Sequence, residues 1–380
     1  MSNPAQRATK LFVQTFGTKP DDLYQAPGRV NIMGEHTDYN EGFALPAAIN
    51  FHTVIAVKHR DDHLFRAVST AFPGQIKQWQ FGDEGSVAAA DDWSHYLKGV
   101  TAAMSQSGLL ANGLDLAIVG DLPLGAGLSS SGALEIAFGT AINYASQLHL
   151  SPFAIAQLAQ RGESQFMQLN CGMMDQMISA MAEPDHALLI DCLELASELI
   201  LLPEELSLIV IDLNQDRHEF IQQFEQRKQE CNQITTLLGL DSLRDLSLSQ
   251  LTLNSHLISD EQFRRARHII TENQRTSNAA RALQQHNIAR FSQLMAQSQT
   301  SMRDDFEIIT PEIDTLVSMI STLIGEQGGV RMSDGCVLAM VNHNLTDKVI
   351  TLVENPYFTQ TGIEATIYLC SASGGAGRIR

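Results

Sequence analysis

Between Gly120 and Gly139 the chain reads GDLPLGAGLSSSGALEIAFG. The preceding LDLAIV (114–119) is rich in Leu, Ile and Val and runs into a Gly/Pro/Ser turn, which predicts a strand. The apolar stretch after the serines predicts a helix. Gly125 and Gly127 carry no Cβ, so the backbone around Ala126 and Leu128 can approach a ligand closely. Ser129, Ser130 and Ser131 set hydroxyls where the first N–H groups of that helix lack partners. The positive end of the helix dipole faces the same point, an arrangement suited to phosphate. A serine-capped helix after a tight turn would read the same way. No lysine follows the glycines and no third glycine completes GxGxxG, so neither common nucleotide loop is present. A nucleotide site here belongs to another kinase architecture.

On either side of this stretch, strand-like runs such as HTVIAVKH (52–59) alternate with helical patterns such as WSHYLKGVTAAMSQ (93–106). This mixture predicts α/β or α+β architecture rather than a bundle or a sandwich. Residues 187–213 read as strands separated by turns, and 219–299 mostly as helix, with apolar positions three and four apart. GVRMSDGCVLAMV (329–341) and IEATIYLC (363–370) restore strands, and the closing SASGGAGRIR reads as a short surface tail. At 380 residues two domains are expected, 1–190 and 191–380, with the change near 185–200.

Lys and Arg number 25 against 43 Asp and Glu, a formal charge of −18. So acidic a chain is repelled by nucleic acid and by anionic lipid, and neither is an expected partner. A phosphorylated ligand must be held by local dipoles and a few placed cations. Cys171, Cys192, Cys231, Cys336 and Cys370 are scattered, odd in number and form no CxxC pair, which fits a reducing compartment. MSNPAQRATK lacks an apolar signal core, and no apolar run approaches the ~18–20 residues of a membrane span. A cytoplasmic protein is the expectation.

One further stretch is unusual. NIMGEHTDYNEG (31–42) packs Glu35, His36, Thr37, Asp38, Tyr39 and Asn40 into consecutive positions, in a chain whose charged residues are only 18%. A metal site, a substrate site and a solvated loop all remain open on the residues alone.

These motifs together resemble the GHMP small-molecule kinases, and within them the galactokinases. PLGAGLSSSGA (123–133) is similar to the phosphate-binding motif of the whole family. GRVNIMGEHTDYNEG (28–42) resembles the far more specific galactokinase signature, and NCGMMDQMISAM (170–181), RRARHIITENQR (264–275) and SQTSMRDDFEIITPEID (298–314) fit the same group. The resemblance covers essentially the whole chain. It implies an α+β fold of two domains with mixed sheets and helices, the active site in the cleft between them, ATP as donor and the anomeric hydroxyl of galactose as acceptor. It implies Asp175 as the carboxylate beside the attacking hydroxyl, with Arg29 pairing to it, and Glu35, His36, Asp38 and Gly172 around the sugar. Glu163 matches the acidic Mg²⁺ ligand, with Ser130 of the loop as its partner, and Trp93 matches an aromatic near adenine. A monomer is expected, with a dimer as the alternative.

Three positions depart from the pattern. The family carries a third, glycine-rich loop between an Arg-Met pair and a Cys-containing strand; here Arg331 and Met332 are followed only by Ser333, Asp334 and Gly335 before Cys336. Such a turn either mis-sets the phosphate loop or forms a shorter hairpin that supports it differently, since SDG is good turn chemistry. Phe224 stands where the family has a tyrosine near the sugar, which removes one hydrogen bond, worth about 0.5–1.5 kcal/mol. Gly132 replaces a more usual alanine, with little expected beyond a less stable first helical turn. The alternatives to a galactose kinase are a catalytically weak or silent sugar sensor, a kinase for a related sugar, and a metal enzyme built on Glu35, His36 and Asp38. The last lacks a second ligand cluster.

Overall fold

The computed structural model describes residues 3–86, 92–123, 125–169, 171–216 and 218–379. Strand β1 (Asp22–Met33) runs antiparallel to β2 (Phe43–His59), and β2 is long enough to serve two further neighbours on its other edge. Beyond it lie β3 (Leu64–Ser69), β4 (Ile76–Gln80) and β5 (Leu114–Gly120). The second half of β2, Thr53–His59, pairs with β5, which continues to β3 and β4. Its first half pairs with β6 (His186–Asp191), which forms a hairpin with β7 (Ala196–Leu201).

Alternation along β2 and β5 sorts the core, as a two-residue period must. Val54, Ala56, Ala117 and Val119 face Ala8 and Phe12 of helix α1 (Pro4–Phe16). Ile55, Val57, Leu116 and Ile118 face the larger core under α2 (Ser94–Gln106), α3 (Ser130–Ala145), α4 (Pro152–Arg161) and α5 (Met174–Met181).

The second sheet is antiparallel throughout. Its strands are β8 (Leu206–Asp212), β9 (Gly328–Ser333), β10 (Cys336–Asn342) and β11 (Thr366–Cys370), in the order β11-β8-β10-β9. Ile209, Ile211, Val337 and Ala339 pack under α6 (His218–Leu238), α7 (Leu248–Leu253), the first half of α8 (Asp260–Gln284) and α10 (Pro311–Ile324), whereas Phe291, Leu294 and Met295 of α9 (Ile288–Ser301) belong to the core on the other face. The start of α8 follows from its sequence: Ser259 caps the Gln262 N–H while the Gln262 side chain returns to the Ser259 N–H. The opposite face of this sheet, with Leu208, Val210, Leu338 and Met340, shares a core with Val30, Ile32, Leu45 and Ala47 of the first. The two sheets are therefore joined by apolar packing, at the end of the first sheet where β1 leaves toward the site.

The change of sheet falls between Leu201 and Leu206, beyond the expected division at 190–191, because β6 and β7 form one hairpin on the first sheet. The C-terminal segment also differs from the surface tail expected of it. Gly377–Arg378 forms β12, which pairs with Tyr24 and Gln25 on the otherwise open edge of β1. The Gly375 and Ala376 N–H groups donate to the Ala182 and Ser179 carbonyls. Among the described residues no helix is long and apolar enough to cross a membrane.

Candidate active site

The site is assembled where β1 passes the glycine-rich turn. A Cβ on Gly28 would stand 2.5 Å from the Leu128 carbonyl oxygen, so only glycine lets β1 run this close. The pairing of β1 with β2 shifts register between Pro27 and Arg29, and such a bulge re-aims the next side chain. Arg29 then donates from its backbone N–H to the Leu128 carbonyl at 3.0 Å. Its Nε and Nη2 donate to the two oxygens of Asp175, at 2.8 and 3.1 Å. Asp175 lies in the first turn of α5 and also accepts the Ser129 hydroxyl at 2.8 Å. The third guanidinium nitrogen, Nη1, donates at 2.7 Å to the Gly127 carbonyl and at 2.7 Å to Asp334.

Gly132 matters more here than its sequence position implies. A Cβ there would meet the Ser129 hydroxyl at 2.8 Å and the Asp175 Cβ at 3.3 Å, so the missing methyl lets α3 and α5 close on each other beside the Arg29 pair.

The polar stretch 34–41 forms the opposite wall. The Gly34 and Glu35 N–H groups donate to Glu272 of α8, which also accepts the Ser298 hydroxyl at 2.7 Å. Glu35 is buried and accepts both outer nitrogens of Arg331, at 3.0 and 3.1 Å, on one oxygen. Its other oxygen accepts the Asp334 N–H at 2.9 Å. Burial and the nearby Asp334 carboxylate push Glu35 up to about 7, against the opposing pull of Arg331. Asp38 rests on Gly172, where a Cβ would stand 2.4 Å from its carboxylate. Burial and the charge of Asp175 raise Asp38 to about 6. His36 is buried, held by the Tyr39 hydroxyl at 2.7 Å and flanked by the rings of Phe224 and Phe306 at 4.4 and 4.6 Å. Burial, with the neighbouring His268 and Lys228, holds it well below the ordinary histidine range, so it stays neutral. Glu35, His36 and Asp38 thus have separate partners rather than one shared centre.

These groups enclose a cavity of about 130 Å³. Arg29, Glu35, Asp38, Asp175 and Asp334 line it, together with Phe224 and Lys228 of α6. The Lys228 ammonium lies over the rings of Phe224 and Tyr39, at 4.7 and 5.4 Å. A second recess, about 350 Å³, opens on the other side of the serine turn. Trp93, Phe72, Tyr96, Ile118 and Leu122 line it, and Ser130 and Ser131 reach its edge. Trp93 stacks on Phe72 at 5.8 Å and 9°. Gly125 and Gly127 adopt positive φ, 75° and 68°, and Ser129 enters the left-handed region at 58°. Because the Ser129 hydroxyl serves Asp175, no side chain caps the N-terminus of α3, which leaves its first N–H groups able to meet an anion.

Glu163 also lines the smaller cavity. The Gln176 amide donates to Glu163 at 3.0 Å and to Glu135 at 3.2 Å, and Glu135 Oε1 finds no donor among the described residues. Burial first, then the neighbouring carboxylates, raise both acids. Carboxylate oxygen is a hard donor of the type Mg²⁺ takes, so Glu163 and Glu135 fit that ion in donor type, while no cluster of three or more acid, His or Cys ligands occurs among the described residues. Ser130 faces the larger recess and Glu163 the smaller.

The shortened motif is a two-residue hairpin. Asp334 and Gly335 both have positive φ, 48° and 80°, and Ser333 pairs with Cys336, a geometry that Asp-Gly favours. It still touches the phosphate loop, through Asp334 on Arg29 and through the Cys336 thiol on the Ala126 carbonyl at 3.2 Å.

Sequence reading missed Arg331, Glu272, Gln176 and Lys228 as parts of the site. Gln176 directly follows Asp175, and Lys228 lies one helical turn after Phe224, the local signals that point to them. Arg331 and Glu272 lie inside motifs quoted above, the Arg-Met pair and RRARHIITENQR, but only the tertiary fold brings them to Glu35 and Gly34.

Residues 10–59 match the galactokinase galactose-binding signature, and residues 95–183 match the GHMP kinase N-terminal domain. A galactokinase from Lactococcus lactis, solved in complex with galactose, is 27% identical and superposes with a TM-score of 0.90, over 99% of this chain and 100% of that one. A mevalonate kinase at 15% identity, covering 93% of this chain and 99% of its own, has a TM-score of 0.64 and shares the fold. So does a D-glycero-D-manno-heptose 1-phosphate kinase from Bacteriodes thetaiotaomicron, with 13% identity, coverage of 94% and 99%, and a TM-score of 0.62. The signature over β1 and β2 and the whole-length match to a galactokinase agree with the site geometry, and the chain belongs to the GHMP kinase family, on its galactokinase branch.

Proposed function

We propose that this chain transfers the γ-phosphoryl group of ATP to the anomeric hydroxyl of galactose, giving galactose 1-phosphate and ADP. The observation that carries the reading is the Arg29–Asp175 pair in the wall of the smaller cavity, bonded through Ser129 to the serine turn whose next two residues line the larger recess. Galactose occupies the smaller cavity, where Glu35, Asp38 and His36 read its hydroxyls and Phe224 packs on it. ATP places its adenine in the larger recess beside Trp93 and its phosphates along Gly125–Ser131, on the N-terminus of α3.

Asp175 accepts the proton of the attacking hydroxyl, the sugar oxygen bonds to the γ-phosphorus, and the bond from that phosphorus to the bridging oxygen of ADP breaks. Arg29 holds the Asp175 carboxylate in one orientation through its bidentate pair, and its positive charge favours negative charge on the attacking oxygen. Glu163 and Ser130 are the residues assigned to Mg²⁺, which when bound offsets phosphate charge. The test is a coupled ADP-release assay on the purified chain with Mg²⁺-ATP and galactose. Galactose-dependent turnover well above that of Asp175→Ala is expected; turnover no higher than that variant overturns the reading.

A further inference from the structure

The shortened turn gives this chain a carboxylate in the active site at a place where the family motif has glycines. Asp334 is 19% exposed, lines the smaller cavity, and holds Arg29 Nη1 at 2.7 Å. The other edge of the same guanidinium, Nε and Nη2, is bidentate on Asp175. A planar fork fixed at both ends cannot rotate about its long flexible stem, whereas one fixed at a single edge can. The remaining Nη1 partner, the Gly127 carbonyl, belongs to the glycine-rich turn itself, so it is the weaker anchor of the two. Asp334 is also tied to the sugar wall, since its N–H donates to Glu35 at 2.9 Å, and Ser333 beside it donates its hydroxyl to the Asn31 carbonyl at 3.0 Å. One residue thus spans the phosphate side and the sugar side of the site.

We infer that Asp334 is a positioning residue for phosphoryl transfer, holding the far end of Arg29 so that its near edge stays locked on Asp175. This assignment rests on the galactose kinase reading above. It makes the two-residue turn a working substitute for a glycine-rich support rather than a lesion.

The side chain can be altered without straining the turn, because Asn and Gly both accept the left-handed conformation at 334. Asp334→Gly removes the anchor and is expected to lower kcat about tenfold to a hundredfold, with a melting temperature near that of the parent. Asp334→Asn keeps one oxygen toward Nη1 and is expected to recover part of that loss. It also removes a charge beside Glu35, which is faced in addition by Arg331 of β9, Arg29 of β1 and His268 and Glu272 of α8. The same charge change moves the acid limb of kcat/KM whatever Asp334 does to Arg29, so the assignment is read from kcat at the pH plateau, with KM for galactose close to that of the parent, a split that a loosened fold would not produce. Parental kcat in Asp334→Gly overturns the assignment, as does equal loss of plateau kcat in both variants. If Asp334→Gly fails to fold, the plateau kcat of Asp334→Asn decides alone: a loss with KM for galactose held supports the assignment and parental kcat overturns it. A parent chain without galactose-dependent turnover overturns the kinase reading and this one with it, whereas an active parent with an indifferent residue 334 overturns this one only.

Discussion

The two recesses on either side of the serine turn are built on opposite principles. The smaller, of about 130 Å³, brings five carboxylates (Glu35, Asp38, Glu163, Asp175 and Asp334) against two cations, Arg29 and Lys228. The larger, of about 350 Å³, is walled by Phe72, Trp93, Tyr96, Ile118 and Leu122, with neutral hydroxyls from Thr53, Ser69, Thr70, Ser130 and Ser131 and no charged group in its lining. An excess of buried acid repels an anion and welcomes a neutral ligand rich in O–H donors, or a cation. An aromatic slot selects a flat, weakly polar ring by shape and stacking. The sugar and the nucleotide are therefore sorted by electrostatics before any particular hydrogen bond forms. The triphosphate can approach the acid-rich side only along the turn, where the N-terminus of α3 offers positive potential.

The sharpest break in this comparison is at Asp175, which belongs to the acid side but bonds to the turn. Asp175→Asn is expected to lower kcat by about 10²–10⁴-fold with galactose-induced thermal shifts retained, measured by steady-state kinetics and melting curves. Loss of galactose binding instead would make Asp175 a sugar ligand rather than the base. Arg331→Met leaves Glu35 buried without its partner. A loss of about 3–5 kcal/mol in denaturant unfolding is expected, with galactose binding weakened more than ATP binding. On the aromatic side, Trp93→Leu should raise KM for ATP about tenfold, the scale of one lost stacking contact, and leave KM for galactose unchanged. A change confined to galactose would mean that the two recesses are not separable.

Protonation offers a subtler probe. Asp38 in the unliganded chain has its carboxyl raised to about 6 by burial and Asp175, so near pH 6 it is half protonated. A sugar hydroxyl donates to the ionised form, so binding expels a proton and tightens as pH rises. KM for galactose is expected to rise about fivefold from pH 6 to pH 5, while KM for ATP changes less. Calorimetry in buffers of different ionisation enthalpy should register proton release on galactose binding; proton uptake would contradict the assignment. The smallest effect is at Phe224. Phe224→Tyr adds a hydroxyl to the cavity wall and should lower KM for galactose a few-fold, the scale of one hydrogen bond of about 0.5–1.5 kcal/mol.

Much of this site was legible in the sequence because its parts are local. The strand at Leu114–Gly120, the glycine-rich turn and the helix from Ser130 are set by neighbouring residues, and β1 with its polar loop reads as one motif. The parts that were not legible are made by distant chain segments. Arg331 reaches Glu35 across 296 positions, and Asp334 reaches Arg29 across 305. The significance of Gly132 is equally hidden, since it depends on α5 lying against α3. The C-terminal segment was misread for the same reason: nothing local to SASGGAGRIR reveals that β1 has an edge awaiting a strand.

Arg331 has a mechanical consequence. Its side chain, wholly removed from solvent, leaves β9 of the second sheet and donates to the Asn31 and Ile32 carbonyls of β1 at 2.8 Å each, as well as to Glu35. Swinging the two halves apart along this seam would strip a buried guanidinium of these acceptors and leave Glu35 without its cationic partner, a cost of several kcal/mol. The side chain acts as a rivet, not a hinge pin. A ligand entering the smaller cavity therefore meets a wall that is already assembled, with Glu35 fixed from β9 before anything binds.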